Sequence, residues 1–158
     1  MESNVYRAYV ETTIGTLEVT SNEDAIISLS FRDQRKLPES VVKPPVLNSC
    51  LEQLDQYFRK TRVNFSLHLA PEGTPFEQRV WEALLTIPHG RTATYRDIAA
   101  AVGNPRAVRA VGRANGRNPI PIIIPCHRII GSNGKLTGYG GGLWRKEWLL
   151  RHEGSLLL

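Results

Sequence analysis

Cys126, His127 and Arg128 stand side by side at the end of an apolar, proline-punctuated run, NPIPIIIPCHRII, at 118–130. A thiol attacks only as its thiolate; a neighbouring imidazole can take the proton, and a guanidinium favours the anion that remains. A lone cysteine in apolar surroundings is usually inert packing. Three neighbours shift that balance here: His127 as a base, Arg128 as positive charge, and Pro125, which breaks the extended chain so that the sulfur need not point into the core. One geometric condition follows. Adjacent side chains of a regular strand face opposite ways, so His127 serves Cys126 only if the chain turns at Pro125. The triplet supplies a candidate nucleophile without naming a reaction.

A second group of residues suits an anionic partner. In RTATYRDIAAAVGNPRAVRAVGRANGRNP, Thr94 can cap a helix over 95–102, Gly103 ends it, Asn104 caps again and Pro105 opens a second helix. Two short helices around a tight Gly-Asn-Pro turn make a helix-turn-helix. Arg106, Arg109, Arg113 and Arg117 recur at spacings of three, four and four and so share one helical face, with Val108 and Val111 on another. Charge stripes are usually solvated faces. No acidic residue lies between Asp97 and Glu147, however, and mutually repelling arginines ask for phosphate.

The elements that must position these groups belong to a chain of 158 residues, 41% hydrophobic, long enough for one domain or two small lobes. Its formal charge of +5 divides unevenly: residues 1–72 hold eight Lys and Arg against ten Asp and Glu, residues 73–158 twelve against five. The excess positive charge thus belongs to the second half, and 71–73, Pro-Glu-Gly, is the natural boundary between a 1–72 structural lobe and a 73–158 functional domain. Two cysteines, Cys50 and Cys126, make neither a disulfide framework nor a C-x-x-C metal half-site. The N-terminal MESNVYRAYVETTIG carries no apolar signal core, and no apolar run is long enough to span a bilayer, which points to the cytosol.

In the first half, 6–10, 16–20 and 25–31 are β-branched or aromatic-rich runs separated by turn residues, the pattern of an antiparallel meander. Residues 32–45 read as a loop. Leu47, Leu51, Leu54 and Phe58 recur at helical spacing with Cys50 on the same face, and the strict alternation of Val63, Phe65, Leu67 and Leu69 predicts one more half-buried strand. The second half opens with Thr74-Pro75-Phe76-Glu77, a capping box with proline in the first turn, and Phe76, Val80, Trp81 and Leu84 form that helix's apolar face. Prolines 119, 121 and 125 bar a helix before Cys126, so the isoleucines at 122–124 predict a buried extended segment. Gly131-Ser132-Asn133-Gly134 is a turn signal, 138–142 a glycine-rich loop, and 143–152 a closing helix ended by Gly154, with Trp144, Trp148 and Leu149 expected on its buried side. The fold class is α/β: an N-terminal α/β lobe with a small antiparallel sheet, and a mainly helical C-terminal domain containing a helix-turn-helix.

The second half resembles the O6-alkylguanine-DNA alkyltransferases through GTPFEQRVW at 73–81, TYRDIA at 94–99, GNPRAVRAVG at 103–112, NGRNPIPIIIPCHRII at 115–130 and GYGGGLWRKEWLLRHEG at 138–154. Such proteins flip an alkylated guanine out of duplex DNA and move its alkyl group, in one displacement, onto a cysteine that is never regenerated. The resemblance implies Cys126 as acceptor, His127 as a base acting through a water, Glu153 as the carboxylate that orients it, Asn118 as support for the active-site turn, and Tyr95 as proton donor to the departing guanine. It implies a DNA-binding set of Arg109, which fills the space of the flipped base, with Arg106, Ala107, Arg113, Ala110, Gly112, Thr94 and Arg128. Ala114 joins the small residues that permit close approach to the minor groove. Tyr139, Gly140 and Gly141 match a loop lining the guanine pocket. Gly140 stands where some relatives carry a hydroxyl side chain.

No cofactor is implied, and no metal: some relatives hold zinc in the N-terminal lobe, but Cys50 is the only cysteine in that half. The implied partner is double-stranded DNA containing O6-alkylguanine, with O4-alkylthymine as a possible second substrate. The protein is expected to be a monomer in solution, with cooperation on DNA left open, and cytoplasmic, associated with the nucleoid in a bacterium. Three other classes compete. A non-enzymatic lesion binder would lack Cys126; a cysteine hydrolase needs an oxyanion site and turnover, for which no residues present themselves; a helix-turn-helix transcription factor would need a second readout module.

Overall fold

The structure, a computed structural model, describes residues 4–35 and 37–155. Lys36, inside the predicted 32–45 loop, lies outside the described residues, as do the first three residues of the N-terminal stretch. The chain divides into two compact units, Met1–Glu72 and Gly73–Leu158.

The first unit is built on a three-stranded antiparallel meander, β1 (Tyr6–Thr12), β2 (Gly15–Ser21) and β3 (Ile26–Arg32), in the order β1-β2-β3. Register runs from Tyr6 opposite Ser21 to Thr12 opposite Gly15, and Leu17 and Val19 of the central strand are buried. The helix α1 (Pro45–Phe58) packs on this sheet through Leu47, Cys50, Leu54 and Tyr57. Its buried stripe is rotated from the one expected: Leu51 and Phe58 are half-buried, while Gln53 and Tyr57 go inside. Gln53 also explains why 63–69 is not a strand. Its amide donates to the Ser66 carbonyl and accepts from the Ser66 N–H, so a side chain satisfies backbone that a sheet ladder would have paired. Only Leu69 makes a bridge, parallel to Ile26.

In the second unit, α2 (Pro75–Leu84) starts on the predicted capping box, with Thr74 Oγ1 accepting from Glu77 N–H and Glu77 returning a carboxylate to Thr74 N–H. Val80, Trp81 and Leu84 are buried, and the Trp81 indole N–H donates to the Ala114 carbonyl at 2.9 Å. A two-residue strand β4 (Ala93–Thr94) leads into α3 (Tyr95–Ala101), capped by a second box in which Thr94 and Asp97 exchange hydrogen bonds. Gly103 at φ +82° closes α3 in the left-handed conformation that favours glycine.

The next helix, α4 (Val108–Gly116), begins three residues later than the Pro105 signal suggested. Ala107 N–H bonds to Asn104 carbonyl, closing a turn over 104–107 that stops the helix from extending back. Arg106 therefore lies outside the helix, and the four-arginine stripe reduces to Arg109 and Arg113 on α4 itself, with Arg117 as its C-cap, 3.8 Å from Glu77.

A buried turn over 118–125 leads to a single 3-10 turn, Cys126–Arg128, then β5 (Ile129–Ile130) and finally α5 (Leu143–His152). β5 pairs in parallel with β4, Ala93 opposite Ile129 and Thr94 opposite Ile130, so the residue that caps α3 is tied to the strand that follows the Cys-His-Arg turn. On α5 the buried residues are Lys146, Leu149 and Leu150, followed at the C-cap by Glu153. Spacings of three, four and seven from Lys146 put all four on one face. Trp144 and Trp148 fall off that stripe, and Trp144 is 56% exposed rather than buried. Among the described residues no helix is long and apolar enough to cross a membrane.

Candidate active site

The isoleucine segment is a turn, not the extended run its β-branched residues suggested. Ile124 N–H reaches back to Ile120 carbonyl at 2.9 Å, and Ile122 sits at φ +73°, where a β-branched residue is strained by about 1–3 kcal/mol. Burial holds it there, because Ile120, Ile122, Ile123 and Ile124 are all within the core. Asn118 braces the turn from inside: its carbonyl oxygen accepts from Ile120 N–H at 2.9 Å and its amide donates to Ile124 carbonyl at 2.7 Å. The prolines and isoleucines form a rigid mount, and Pro125 redirects the chain from it into the 3-10 turn that begins at Cys126. At three residues per turn, Cys126, His127 and Arg128 fan out around an axis instead of alternating across a strand.

All three side chains are buried. His127 Nε2 lies 2.8 Å from Glu153 Oε2, while Arg128 grips the same carboxylate with Nε and Nη2 at 2.8 and 3.0 Å and donates Nη1 to Ile87 carbonyl at 2.7 Å. Arg128, expected in the DNA-binding set, is buried as the counter-ion of Glu153, with three of its five N–H donors engaged by Glu153 and the Ile87 carbonyl. Burial opposes ionisation of Glu153, but the hydrogen bonds and charges of His127 and Arg128 prevail and hold it well below the usual carboxylate range. Burial likewise pushes His127 below the ordinary imidazole value in spite of Glu153. A neutral imidazole that donates Nε2–H to a carboxylate leaves Nδ1 unprotonated, and Nδ1 is a buried atom without a hydrogen-bond partner. That nitrogen is a base in waiting.

Burial pushes the Cys126 thiol up to about 11, an effect opposed by the Asn118 amide at the sulfur and by the charge of Lys146. Left alone the sulfur is protonated at neutral pH, so attack requires a base. Lys146 is the residue that sequence reasoning missed. It is fully buried, its ammonium donates to Thr137 carbonyl at 3.2 Å, and burial lowers it to about 8. The signal was present in the register: a lysine three and four residues before Leu149 and Leu150 occupies a core position of α5, where a charge is not placed for stability. Asn115 was missed for a similar reason, being a polar residue on the buried side of α4 whose amide points at the Cys126 carbonyl at 3.4 Å.

Cys126, His127, Glu153 and Asn118 therefore converge. Tyr95, half-buried, presents its hydroxyl to Thr137, and its ring lies against Gly112 of α4, where an added β-carbon would be 3.8 Å from the ring. Tyr139 buries its hydroxyl without a hydrogen-bond partner. Gly140 faces open space, and the Gly141 carbonyl accepts from Arg145 at 2.9 Å. Arg106, Arg109 and Arg113 are exposed, with Ala107, Ala110 and Gly112 half-buried between them. Thr94 uses its hydroxyl oxygen to cap α3, and Ala114 belongs to the core under Trp81. Among the described residues no three His, Cys, Asp or Glu side chains gather as a metal site.

Known proteins share this arrangement of the chain. The DNA binding domain of 6-O-methylguanine DNA methyltransferase matches residues 75–155, and the ribonuclease-like domain of the same family matches residues 5–71. A methylated-DNA--protein-cysteine methyltransferase of Methanosarcina acetivorans is 47% identical over 155 residues, spanning 96% of this chain and 99% of that protein. The constitutive enzyme of that name from Bacillus subtilis is 48% identical over 156 residues, 94% of each chain. The crystal structure of Mycobacterium tuberculosis OGT in complex with DNA superposes with a TM-score of 0.84 at 45% identity, covering 93% of this chain and 91% of that one.

Proposed function

We propose, for a chain that belongs to the 6-O-methylguanine DNA methyltransferase family, direct repair of duplex DNA by transfer of an alkyl group from O6 of guanine to its own Cys126. The observation that carries the assignment to Cys126 is the buried thiol beside a neutral His127 whose Nε2–H is held by Glu153.

In this reading the Cys126 proton passes through a water to His127 Nδ1, and the resulting imidazolium is stabilised by Glu153. Lys146 and the Asn118 amide favour the thiolate as it forms. Sulfur attacks the alkyl carbon in line; the S–C bond forms as the C–O6 bond breaks, and the electron pair leaves with the purine, which takes a proton from Tyr95. A thioether has no acidic proton and no good leaving group, so the protein is consumed one molecule per lesion.

Residues 73–158 supply DNA binding and the acceptor, and residues 1–72 serve as the structural lobe. Arg109, on the exposed face of α4, enters the duplex as the alkylated base leaves it, while Arg106 and Arg113 meet phosphates and Ala107, Ala110 and Gly112 let the backbone approach. Tyr139, Gly140 and Gly141 line the base pocket. The partner is duplex DNA containing O6-alkylguanine, the protein acts as a monomer, and its place is the cytoplasm.

Intact-mass measurement after mixing with a duplex carrying one O6-methylguanine tests the assignment. A gain of one methylene on Cys126, at one equivalent per protein, is expected, and Cys126→Ser should lose transfer while keeping affinity for the duplex. Catalytic turnover, or methylation elsewhere, would refute it.

A further inference from the structure

We propose that Thr137 is a positioning residue for the transfer, its hydroxyl orienting and supporting the phenol of Tyr95 from outside the helix-turn-helix. The inference rests on the reading of Tyr95 as the proton donor to the departing purine.

Two hydrogen bonds locate Thr137. Its Oγ1 lies 2.5 Å from Tyr95 Oη, joining residues 42 apart in the chain. Its carbonyl accepts from the buried Lys146 ammonium at 3.2 Å. Its methyl rests beside Gly131, 3.6 Å from where a β-carbon on that glycine would lie. The carbonyl contact ties the Thr137 backbone to α5, and the hydroxyl is directed at Tyr95.

Tyr95 is equally constrained. Its backbone follows β4, which pairs with β5 directly after the Cys-His-Arg turn, and its ring lies against Gly112. The remaining freedom is rotation of the phenolic O–H. A phenol that donates to Thr137 has no proton to offer a purine; a phenol that accepts from Thr137 has one. Thr137 can serve either way, because a hydroxyl is both donor and acceptor. When a flipped base offers a ring nitrogen, the pair settles with Thr137 O–H donating to Tyr95 Oη and Tyr95 O–H donating to the purine. Such a chain strengthens each bond in it. As the C–O6 bond breaks, the phenolic proton moves to the purine and the electron pair left on Tyr95 Oη is held by the Thr137 O–H; Thr137 itself loses no proton.

A double-mutant cycle on the full chain tests this, with the rate constant for methyl transfer from an O6-methylguanine duplex measured in single-turnover mixing. Thr137→Ala removes hydroxyl and methyl, Thr137→Ser only the methyl. Thr137→Ala should slow transfer about tenfold with duplex affinity unchanged, Thr137→Ser should restore the rate to within about twofold, and Thr137→Ala should add no further loss once Tyr95→Phe has been made. Equal rates for Thr137→Ala and wild type beside a slow Tyr95→Phe would overturn the role of Thr137 while leaving that of Tyr95 intact. A Thr137→Ser variant as slow as Thr137→Ala would reduce Thr137 to packing and overturn the proposal. A Tyr95→Phe variant as fast as wild type would remove the donor role of Tyr95, and the proposal with it.

Discussion

Glu153 meets His127 at 2.8 Å across 26 residues of chain, and the same carboxylate also receives the guanidinium of Arg128, so both residues that follow Cys126 in the sequence converge on it. One anion thus does two jobs. It selects the tautomer that leaves Nδ1 of His127 free to accept a proton, and it neutralises the buried Arg128.

Glu153→Gln should therefore be costly twice over. It leaves the Arg128 guanidinium buried without a counter-charge, which should destabilise the protein by about 3–5 kcal/mol, and it replaces a carboxylate facing His127 with an amide that does not favour the imidazolium. Denaturant unfolding and single-turnover transfer should both register the loss. Near-normal stability would mean that the pair is solvated.

Acid should act through the same group. Because Glu153 is held below its unfolded value, its stabilisation is complete above the ordinary carboxylate pKa of about 4.3 and is lost as pH falls from there towards the folded value. Wild type should lose stability between pH 5 and about pH 3 more steeply than Glu153→Gln, as read by urea unfolding at each pH. Parallel slopes would contradict the assignment.

Lys146 should show the opposite balance. Burial lowers it to about 8, so the fold disfavours its charge, and Lys146→Met should unfold at higher denaturant by about 1 kcal/mol at pH 7 yet transfer methyl more slowly. The stability advantage should be full below about pH 8 and shrink as pH rises from there towards 10.5, where the unfolded lysine also loses its proton. An equally fast Lys146→Met would remove Lys146 from the chemistry.

Arg109→Ala separates base extrusion from transfer. Flipping a base costs a few kcal/mol, about 2–4, and only a duplex demands it, so repair of duplex should fall much further than reaction with free O6-benzylguanine. Equal losses on both would show that Arg109 serves the pocket and not the extrusion.

Much of this was legible along the chain because it is encoded within a few residues. Thr74 with Glu77, and Gly103 at the end of α3, act on their own turn of backbone, and those features stand where the sequence put them. The change of charge sign at residue 73 and the Cys-His-Arg motif are likewise statements about neighbours in sequence. Local signals were weaker where a distant side chain competed for the same backbone. The 63–69 alternation lost its strand to Gln53, and the isoleucines at 122–124 were bent out of extension by Asn118 and by burial.

By itself the sequence determined the family motif, the candidate nucleophile, the capped helices and the division of charge. Tertiary structure alone decided that Arg128 is buried against Glu153, that Lys146 is buried while Trp144 is exposed, and that Thr137 meets Tyr95. The reason is physical. Helix caps and turns are settled by atoms a few bonds apart, whereas the fate of a buried charge depends on whether packing brings a partner to it, as it brings Glu153 to Arg128 across 25 residues.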